Sequence, residues 1–199
     1  GSPFVPYFDI PLQHASSAVL RRMGRAGDAE SYLDLLRAIR ATGVDPAIRT
    51  TFIVGFPGET DQEFQELLQF AQAAAFEQPL VLVGSSMGGY VAAVAAAELR
   101  PAGLFLMAPA VGLPGYRIDS PQLTAPHVAI VHGWDDAIVP VANVLEFARA
   151  QRAELHLLAD GHVLQASLDR IAGLFADFLA ASLDRSKPAA PPRELVAAL

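Results

Sequence analysis

The chain has 199 residues, of which 52% are apolar and 18% charged, and its mean hydropathy is +0.33. This composition excludes a disordered chain and predicts a compact fold with a sizeable core. The formal net charge of −7 and the single lysine, Lys187, argue against the cation clusters with which proteins bind nucleic acid. The absence of cysteine excludes disulfides, thiolate zinc sites and cysteine-ligated iron–sulfur clusters.

Membrane association is not expected either. No apolar run reaches the roughly 18 residues that a membrane helix needs, and no charged-then-apolar leader opens the sequence. We therefore expect a cytoplasmic protein with no nucleic-acid or membrane partner, and the sequence leaves its oligomeric state open.

Strand and helix patterns alternate in the first part of the chain. A β-rich run at residues 7–12 precedes a helical pattern that includes Leu36. Residues 48–55 are β-branched and nearly continuous, as in a strand covered on both faces. Thr60 and Glu63 then have the spacing of a capping box, which predicts that a helix begins there.

The second part of the chain shows the same alternation. The predicted strands cover residues 80–83, 103–107, 127–131 and 154–158. The last predicted helix has an apolar stripe that includes Leu168 and Phe178. Strands that alternate with helices imply a mostly parallel sheet covered on both faces.

We therefore predict an α/β fold, a three-layer α/β/α sandwich of about six strands in the order 2-1-3-4-5-6. Residues 1–185 are expected to form a single α/β domain. The remaining residues, 186–199, read SKPAAPPRELVAAL and are predicted to be a Pro-rich tail.

The motif Gly-x-Ser-x-Gly stands between the predicted strand at 80–83 and the alanine-rich helix that follows. In this tight strand-to-helix turn, Ser86 is the candidate nucleophile, and Gly84 and Gly88 avoid steric clashes. The backbone N–H of Met87 can donate to a developing oxyanion. A glycine-rich turn without catalytic function also fits this motif when it is taken alone.

Two later segments supply partners for a serine nucleophile. HGWDDAIVP follows a predicted strand and offers Asp135 or Asp136, and ADGHVL follows the last strand and offers His162. A serine hydroxyl needs an imidazole to accept its proton, and the imidazole needs a carboxylate to fix its tautomer. The chain order Ser, Asp, His is the order of α/β-hydrolases.

On these motifs, residues 78–182 resemble the α/β-hydrolase superfamily, particularly its small lidless members. In that family the acid precedes Val-Pro by three positions, which implies Asp136, while Asp135 caps the loop or stays solvated. The resemblance also implies a second oxyanion donor in the loop after the strand at 7–12. Here that loop has no glycine, and the candidate donors are the backbone N–H groups of Gln13 and His14.

The first part of the chain has a different resemblance. The strings DIPLQHAS and TFIVGFPGET, within residues 4–77, resemble strand-helix units of the radical SAM barrel of methylthiotransferases. The cluster-binding cysteines of that family lie elsewhere, and this chain has none. The sequence is therefore interpreted as a chimera of a barrel-derived βαβα fragment and a hydrolase-derived half, residues 78–185, by natural fusion or by deliberate fragment recombination.

Three functions follow from these interpretations. The leading hypothesis is a serine hydrolase that cleaves small carboxylic esters through an acyl-enzyme, with weak activity because its second oxyanion donor is foreign. The alternative is an engineered or chimeric scaffold without significant catalysis. A module that binds S-adenosylmethionine or another nucleotide through Gly55, Gly58 and Glu59 is the third. The leading hypothesis requires no cofactor and no metal.

Overall fold

The computed structural model describes residues 6–43, 45–75 and 79–183. The chain divides into two compact units, residues 1–77 and 78–199, and each unit is described by itself. The predicted tail at 186–199 lies outside the described residues.

Where the structure describes it, the first unit contains two short strands and three helices. In chain order these are β1 (Tyr7–Asp9), α1 (Ser17–Arg22), α2 (Ala29–Arg40), β2 (Ala47–Arg49) and α3 (Asp61–Ala74). The strands pair in parallel, and one further bridge joins Gln13 to Phe52. Both strands are shorter than predicted. Asp9 pairs with Arg49 but Gln13 with Phe52, so the pairing register slips by one residue between the strands and the bridge.

The predicted capping box at the start of α3 is confirmed. The Thr60 hydroxyl accepts the N–H of Glu63 at 3.2 Å, and the Glu63 carboxylate accepts the N–H of Thr60 at 2.9 Å. The hydrogen bond from Arg22 and those from Thr60 lower the pKa of Glu63 to about 2. Because this value lies below the ordinary pKa of about 4.3, ionised Glu63 stabilises the folded state. That stabilisation is complete above a pH of about 4.3 and is lost only as the pH falls toward about 2.

The second unit contains four strands and three helices in its described part. In chain order these are β3 (Val81–Ser85), α4 (Met87–Leu99), β4 (Gly103–Met107), β5 (His127–Gly133), α5 (Val141–Gln151), β6 (Glu154–Leu158) and α6 (Leu168–Leu183). All strand pairs are parallel, in the order β3-β4-β5-β6.

Alternating residues of the strands fill two cores, one on each face of this sheet. Leu104 and Leu106 of β4 pack in the core that α4 and α5 cover, while Phe105 packs with Phe178 of α6 on the other face. The second unit is thus a three-layer α/β/α arrangement, and the α/β fold class is confirmed. The strands of the chain lie in a two-stranded and a four-stranded sheet, where the sequence predicted about six strands in one order.

The stripe predicted for the last helix is correct in part. Ile171 and Phe178 are buried, but Leu168 is 52% exposed. A turn of 3-10 helix at Gln165–Ser167 precedes α6. Leu168 is therefore the first residue of α6 and faces solvent. No helix in the described ranges combines the length and apolarity required to cross a membrane.

Candidate active site

The turn between β3 and α4 holds Ser86 in an unusual backbone conformation, with φ 53° and ψ −120°. Four hydrogen bonds fix it. The Ser86 N–H donates to the carbonyl oxygen of Met107, and the Ser86 carbonyl oxygen accepts from the N–H groups of Gly89, Tyr90 and Ala110 at 3.0–3.2 Å. Strained backbone of this kind persists only where the surrounding structure over-determines it. The sequence prediction of a tight strand-to-helix turn at Ser86 is confirmed.

The close approach of strand and helix depends on Gly84. A Cβ atom at Gly84 would lie 2.2 Å from the carbonyl oxygen of Gly88 and 2.7 Å from the Cα of Gly89. A Cβ at Gly88 would meet nothing within 4 Å. The expected steric need for glycine is therefore correct for Gly84 and wrong for Gly88.

These two glycines form a matched pair of tests. We expect Gly84→Ala to lower the free energy of unfolding by more than about 2 kcal/mol, because its Cβ meets backbone that cannot move aside. Gly88→Ala should leave that free energy unchanged or raise it by up to about 1 kcal/mol, since alanine is the better helix former. Urea unfolding of both variants measures the difference, and equal losses would contradict the clash.

Ser86, His162 and Asp136 are brought together in one hydrogen-bonded chain. Ser86 Oγ lies 2.8 Å from His162 Nε2, and His162 Nδ1 lies 2.7 Å from Asp136 Oδ2. The Asp136 side chain has no exposed surface, and that of His162 is 15% exposed. All three residues belong to the second unit. With a proton on Nδ1, the imidazole presents an acceptor nitrogen to the serine hydroxyl.

Backbone N–H groups hold the other oxygen of Asp136. Oδ1 accepts from the N–H of Ile138 and from that of Val139, each at 2.8 Å. Burial alone would raise the pKa of Asp136, but these two N–H groups and His162 hold it below its ordinary value. The carboxylate therefore stays ionised at neutral pH. These two donors were not predicted from the sequence, although Asp side chains commonly accept N–H groups a few residues ahead.

Asp135, the other candidate acid, is exposed. Its backbone N–H donates to the carbonyl oxygen of Asp160 at 3.0 Å. Asp135 thus helps to join the loops after β5 and β6, and the carboxylate that contacts the imidazole belongs to Asp136.

A second histidine, His132, lies fully buried beside the acid. Its Nε2–H donates to the carbonyl oxygen of Val139 at 3.1 Å and lies 3.6 Å from Asp136 Oδ2. Burial lowers the pKa of His132, and the opposing effect of the Asp136 charge is smaller. A neutral ring with its proton on Nε2 therefore ties the Val139 carbonyl into the loop that holds the acid.

His132→Phe and His132→Gln separate this hydrogen bond from simple filling of space. We expect His132→Phe to lower the unfolding free energy by about 1–3 kcal/mol, because the Val139 carbonyl loses its donor in a buried place. His132→Phe should also slow the reaction of Ser86 with a fluorophosphonate, a reagent that labels activated serines, in the folded protein. His132→Gln carries an amide N–H near the same position and should retain more of both properties. Equal behaviour of the two variants in thermal unfolding and labelling would contradict the prediction.

The predicted oxyanion donors have different surroundings. The N–H of Met87 opens α4 and has no acceptor among the described residues, so it is available to a ligand. The N–H of Gln13 donates to the carbonyl oxygen of Thr51 at 2.9 Å. A role for Gln13 would require that bond to break, and a second oxyanion donor from the first unit stays a prediction.

The ring of His14 is itself engaged within the first unit. Its Nδ1 accepts the N–H of Ser16 at 2.9 Å, and its Nε2 lies 3.2 Å from Glu59 Oε1. The other carboxylate oxygen of Glu59 accepts the N–H groups of Gly55 and Phe56 at 2.6 and 3.1 Å. Two of the residues considered for nucleotide binding thus bind each other, and Glu59 ties the loop after β2 to the segment that follows β1.

Comparison with known proteins supports the first resemblance. Residues 2–71 match the model of the radical SAM superfamily. Over 74 residues the chain is 57% identical to the ribosomal protein uS12 methylthiotransferase RimO of Methylobacterium radiotolerans, and over 85 residues it is 48% identical to RimO of Thermus thermophilus. These alignments cover 37% and 43% of this chain but only 16% and 20% of the two relatives.

The residues present do not fit the iron–sulfur cluster that the radical SAM superfamily implies. Such clusters are held by cysteine thiolates, and the chain contains no cysteine. Within the described residues, no group of three or more His, Asp or Glu side chains is arranged to hold a metal ion.

Comparison with solved structures supports the second resemblance. A protein of Xanthomonas campestris pv. campestris assigned to the alpha/beta hydrolase superfamily matches with a TM-score of 0.57 and 26% identity, over 88% of this chain and 97% of that protein. A lidless α/β serine hydrolase of Xanthomonas campestris matches with a TM-score of 0.55 and 22% identity, over 96% and 88%. The chain therefore combines a segment similar to radical SAM methylthiotransferases with an α/β-hydrolase-like fold.

Proposed function

We propose that the chain is a serine hydrolase that cleaves small carboxylic esters through an acyl-enzyme. The observation that carries this proposal is the unbroken hydrogen-bonded chain from Ser86 Oγ through His162 to Asp136, at 2.8 and 2.7 Å. A hydrogen bond from nucleophile to base and another from base to a third group are the geometric signature of an activated serine.

In the first half of the proposed reaction, Ser86 Oγ attacks the ester carbonyl carbon while His162 Nε2 takes the hydroxyl proton. The imidazolium that forms is stabilised by the ionised Asp136. The carbonyl oxygen becomes an oxyanion, which the backbone N–H of Met87 stabilises. Collapse of this intermediate breaks the bond to the leaving oxygen, which receives the proton from His162 and departs as an alcohol.

In the second half, water attacks the acyl-enzyme. His162 Nε2 removes a proton from the water, and a second tetrahedral intermediate forms at the same carbon. Its collapse breaks the bond to Ser86 Oγ, which regains the proton from His162. The acid product leaves, and the starting protonation states are restored.

Weak turnover is part of the proposal. Loss of a single oxyanion donor costs about 10²–10³ in rate. The two donors predicted for the second position come from the segment after β1, which resembles methylthiotransferases and not hydrolases, and one of them, the Gln13 N–H, is already bonded to Thr51. We therefore expect serine labelling to be detectable but slow, and ester turnover to lie well below the usual 1–10³ per second.

Labelling with a fluorophosphonate followed by mass mapping of the adduct tests the proposal. Stoichiometric modification of Ser86, with slow hydrolysis of p-nitrophenyl acetate, is the expected result. A folded protein that shows neither labelling nor hydrolysis above the buffer rate would favour the chimeric scaffold instead. Turnover typical of efficient esterases would refute the expectation of an impaired oxyanion site.

A further inference from the structure

Three large apolar side chains are exposed on the two loops that carry Asp136 and His162. They are Trp134 (53% exposed), Ile138 (62%) and Val163 (77%), and together they are called the apolar rim. Each lies one or two positions along the chain from Asp136 or His162. None of the three belongs to the cores found in the described part of the second unit.

The apolar rim comes from the two loops that follow β5 and β6. Trp134 follows β5, and its N–H donates at 2.9 Å to the carbonyl oxygen of Leu158, the last residue of β6. The N–H of Ile138 donates to the same carboxylate that holds the imidazole next to Val163. All three rim residues thus lie in loops at the carboxyl ends of β5 and β6, the loops that also carry Asp136 and His162.

Single exposed apolar residues are ordinary on protein surfaces, but a group of them at a reactive centre indicates a ligand surface. No catalytic step of the proposed mechanism uses these side chains. Their exposure leaves apolar area that a bound substrate would cover, and such coverage is favourable in water.

The direction of proton transfer specifies which half of an ester meets this surface. In the proposed reaction the acyl carbon bonds to Ser86 Oγ, while the leaving oxygen takes its proton from His162 Nε2. The alkoxy group must therefore lie on the imidazole side, where the apolar rim stands. Asp135, exposed on the same loop as Trp134, disfavours an anionic group there.

We propose that the apolar rim binds the alcohol half of the substrate and that the preferred substrates are esters of uncharged aliphatic alcohols. This inference rests on the proposed serine hydrolase function. Each methylene that moves from water onto apolar surface contributes about 0.8 kcal/mol, equivalent to about fourfold in kcat/KM. A half-open surface should give about two- to fourfold per methylene until the alkyl chain outgrows the rim.

Hydrolysis of ethyl, butyl, hexyl and octyl acetate by the full chain tests this directly, with kcat/KM measured from released acetate. The leaving alcohols have nearly equal reactivity, so chain-length dependence reports binding. We expect kcat/KM to rise about two- to fourfold per methylene from ethyl to hexyl. The double variant Ile138→Ala and Val163→Ala should flatten that rise, whereas Leu145→Ala, which removes an exposed leucine from α5, should preserve it.

Two results would overturn the assignment of the rim. One is a flat alkyl series in the unmodified chain, and the other is an equally steep series in the double variant. A parallel fluorophosphonate experiment identifies the source of failure. Labelled Ser86 with a flat series refutes the rim alone, whereas an unlabelled Ser86 refutes the hydrolase and, with it, the substrate assignment.

Discussion

Ser86→Ala is expected to abolish fluorophosphonate labelling and to lower ester hydrolysis by about 10⁶-fold, or to the buffer rate if the starting activity is weak. The hydroxyl is the only group of the hydrogen-bonded chain positioned to form the covalent bond, and its proton acceptor lies 2.8 Å away. Labelling of intact protein, read by mass spectrometry, measures the loss.

Ser85→Ala is the matched control for this experiment. Ser85 precedes the candidate nucleophile, is exposed, and ends β3. It forms no part of the chain to His162, so its removal should leave the labelling rate of the protein within about twofold. Label found on Ser85, or labelling that persists in Ser86→Ala, would show that the nucleophile has been assigned to the wrong serine.

The positions of the three reactive residues could be predicted from the sequence because each follows a strand of one parallel sheet. The carboxyl ends of such strands meet at one edge, so the order Ser, Asp, His already implied that the side chains converge. The choice between Asp135 and Asp136 came from a family spacing. Its physical basis is visible only in the structure, where the N–H groups of Ile138 and Val139 hold one of the two carboxylates.

Other features depend on backbone geometry that no local pattern reveals. Gly84 and Gly88 are equivalent positions in the sequence motif, yet only at Gly84 would a Cβ atom clash with backbone. A one-residue slip in the pairing register between Asp9 and Gln13 interrupts strand patterns that look continuous in the sequence. By contrast, the capping box at Thr60 could be predicted, since both of its hydrogen bonds join residues three apart.

The two resemblances reflect different levels of structure. The first segment is similar to a methylthiotransferase in sequence, with 57% identity over 74 residues. The likeness to hydrolases is one of structure and extends over 88% of the chain. Parallel strands separated by helices occur both in barrels and in open α/β sheets. A fragment that supplies this succession can therefore resemble one family in sequence while most of the chain resembles another in fold.

Asp136→Asn is expected to lower the rate of ester hydrolysis and of phosphonate labelling by about 10⁴-fold while leaving the fold intact. The N–H groups of Ile138 and Val139 require an oxygen at the Oδ1 position. The amide NH₂ of asparagine must then face His162, whose Nδ1 becomes an acceptor. The ring proton of His162 then lies on Nε2, and the imidazole can no longer accept the proton of Ser86.

Asp135→Asn is the control for this change, because it removes the same charge from the neighbouring, exposed position. It should keep labelling within about threefold of the unmodified chain, and circular dichroism should show both variants folded.

Acid titration gives an independent check. Since the pKa of Asp136 is lowered in the folded state, its pH-dependent stabilisation is complete above the unfolded pKa of about 3.9 and is lost as the pH falls through the lower folded value. The free energy of unfolding of Asp136→Asn should therefore vary less than that of the unmodified chain across that acid range. In the labelling experiment, a larger loss in Asp135→Asn than in Asp136→Asn would reverse the assignment of the acid.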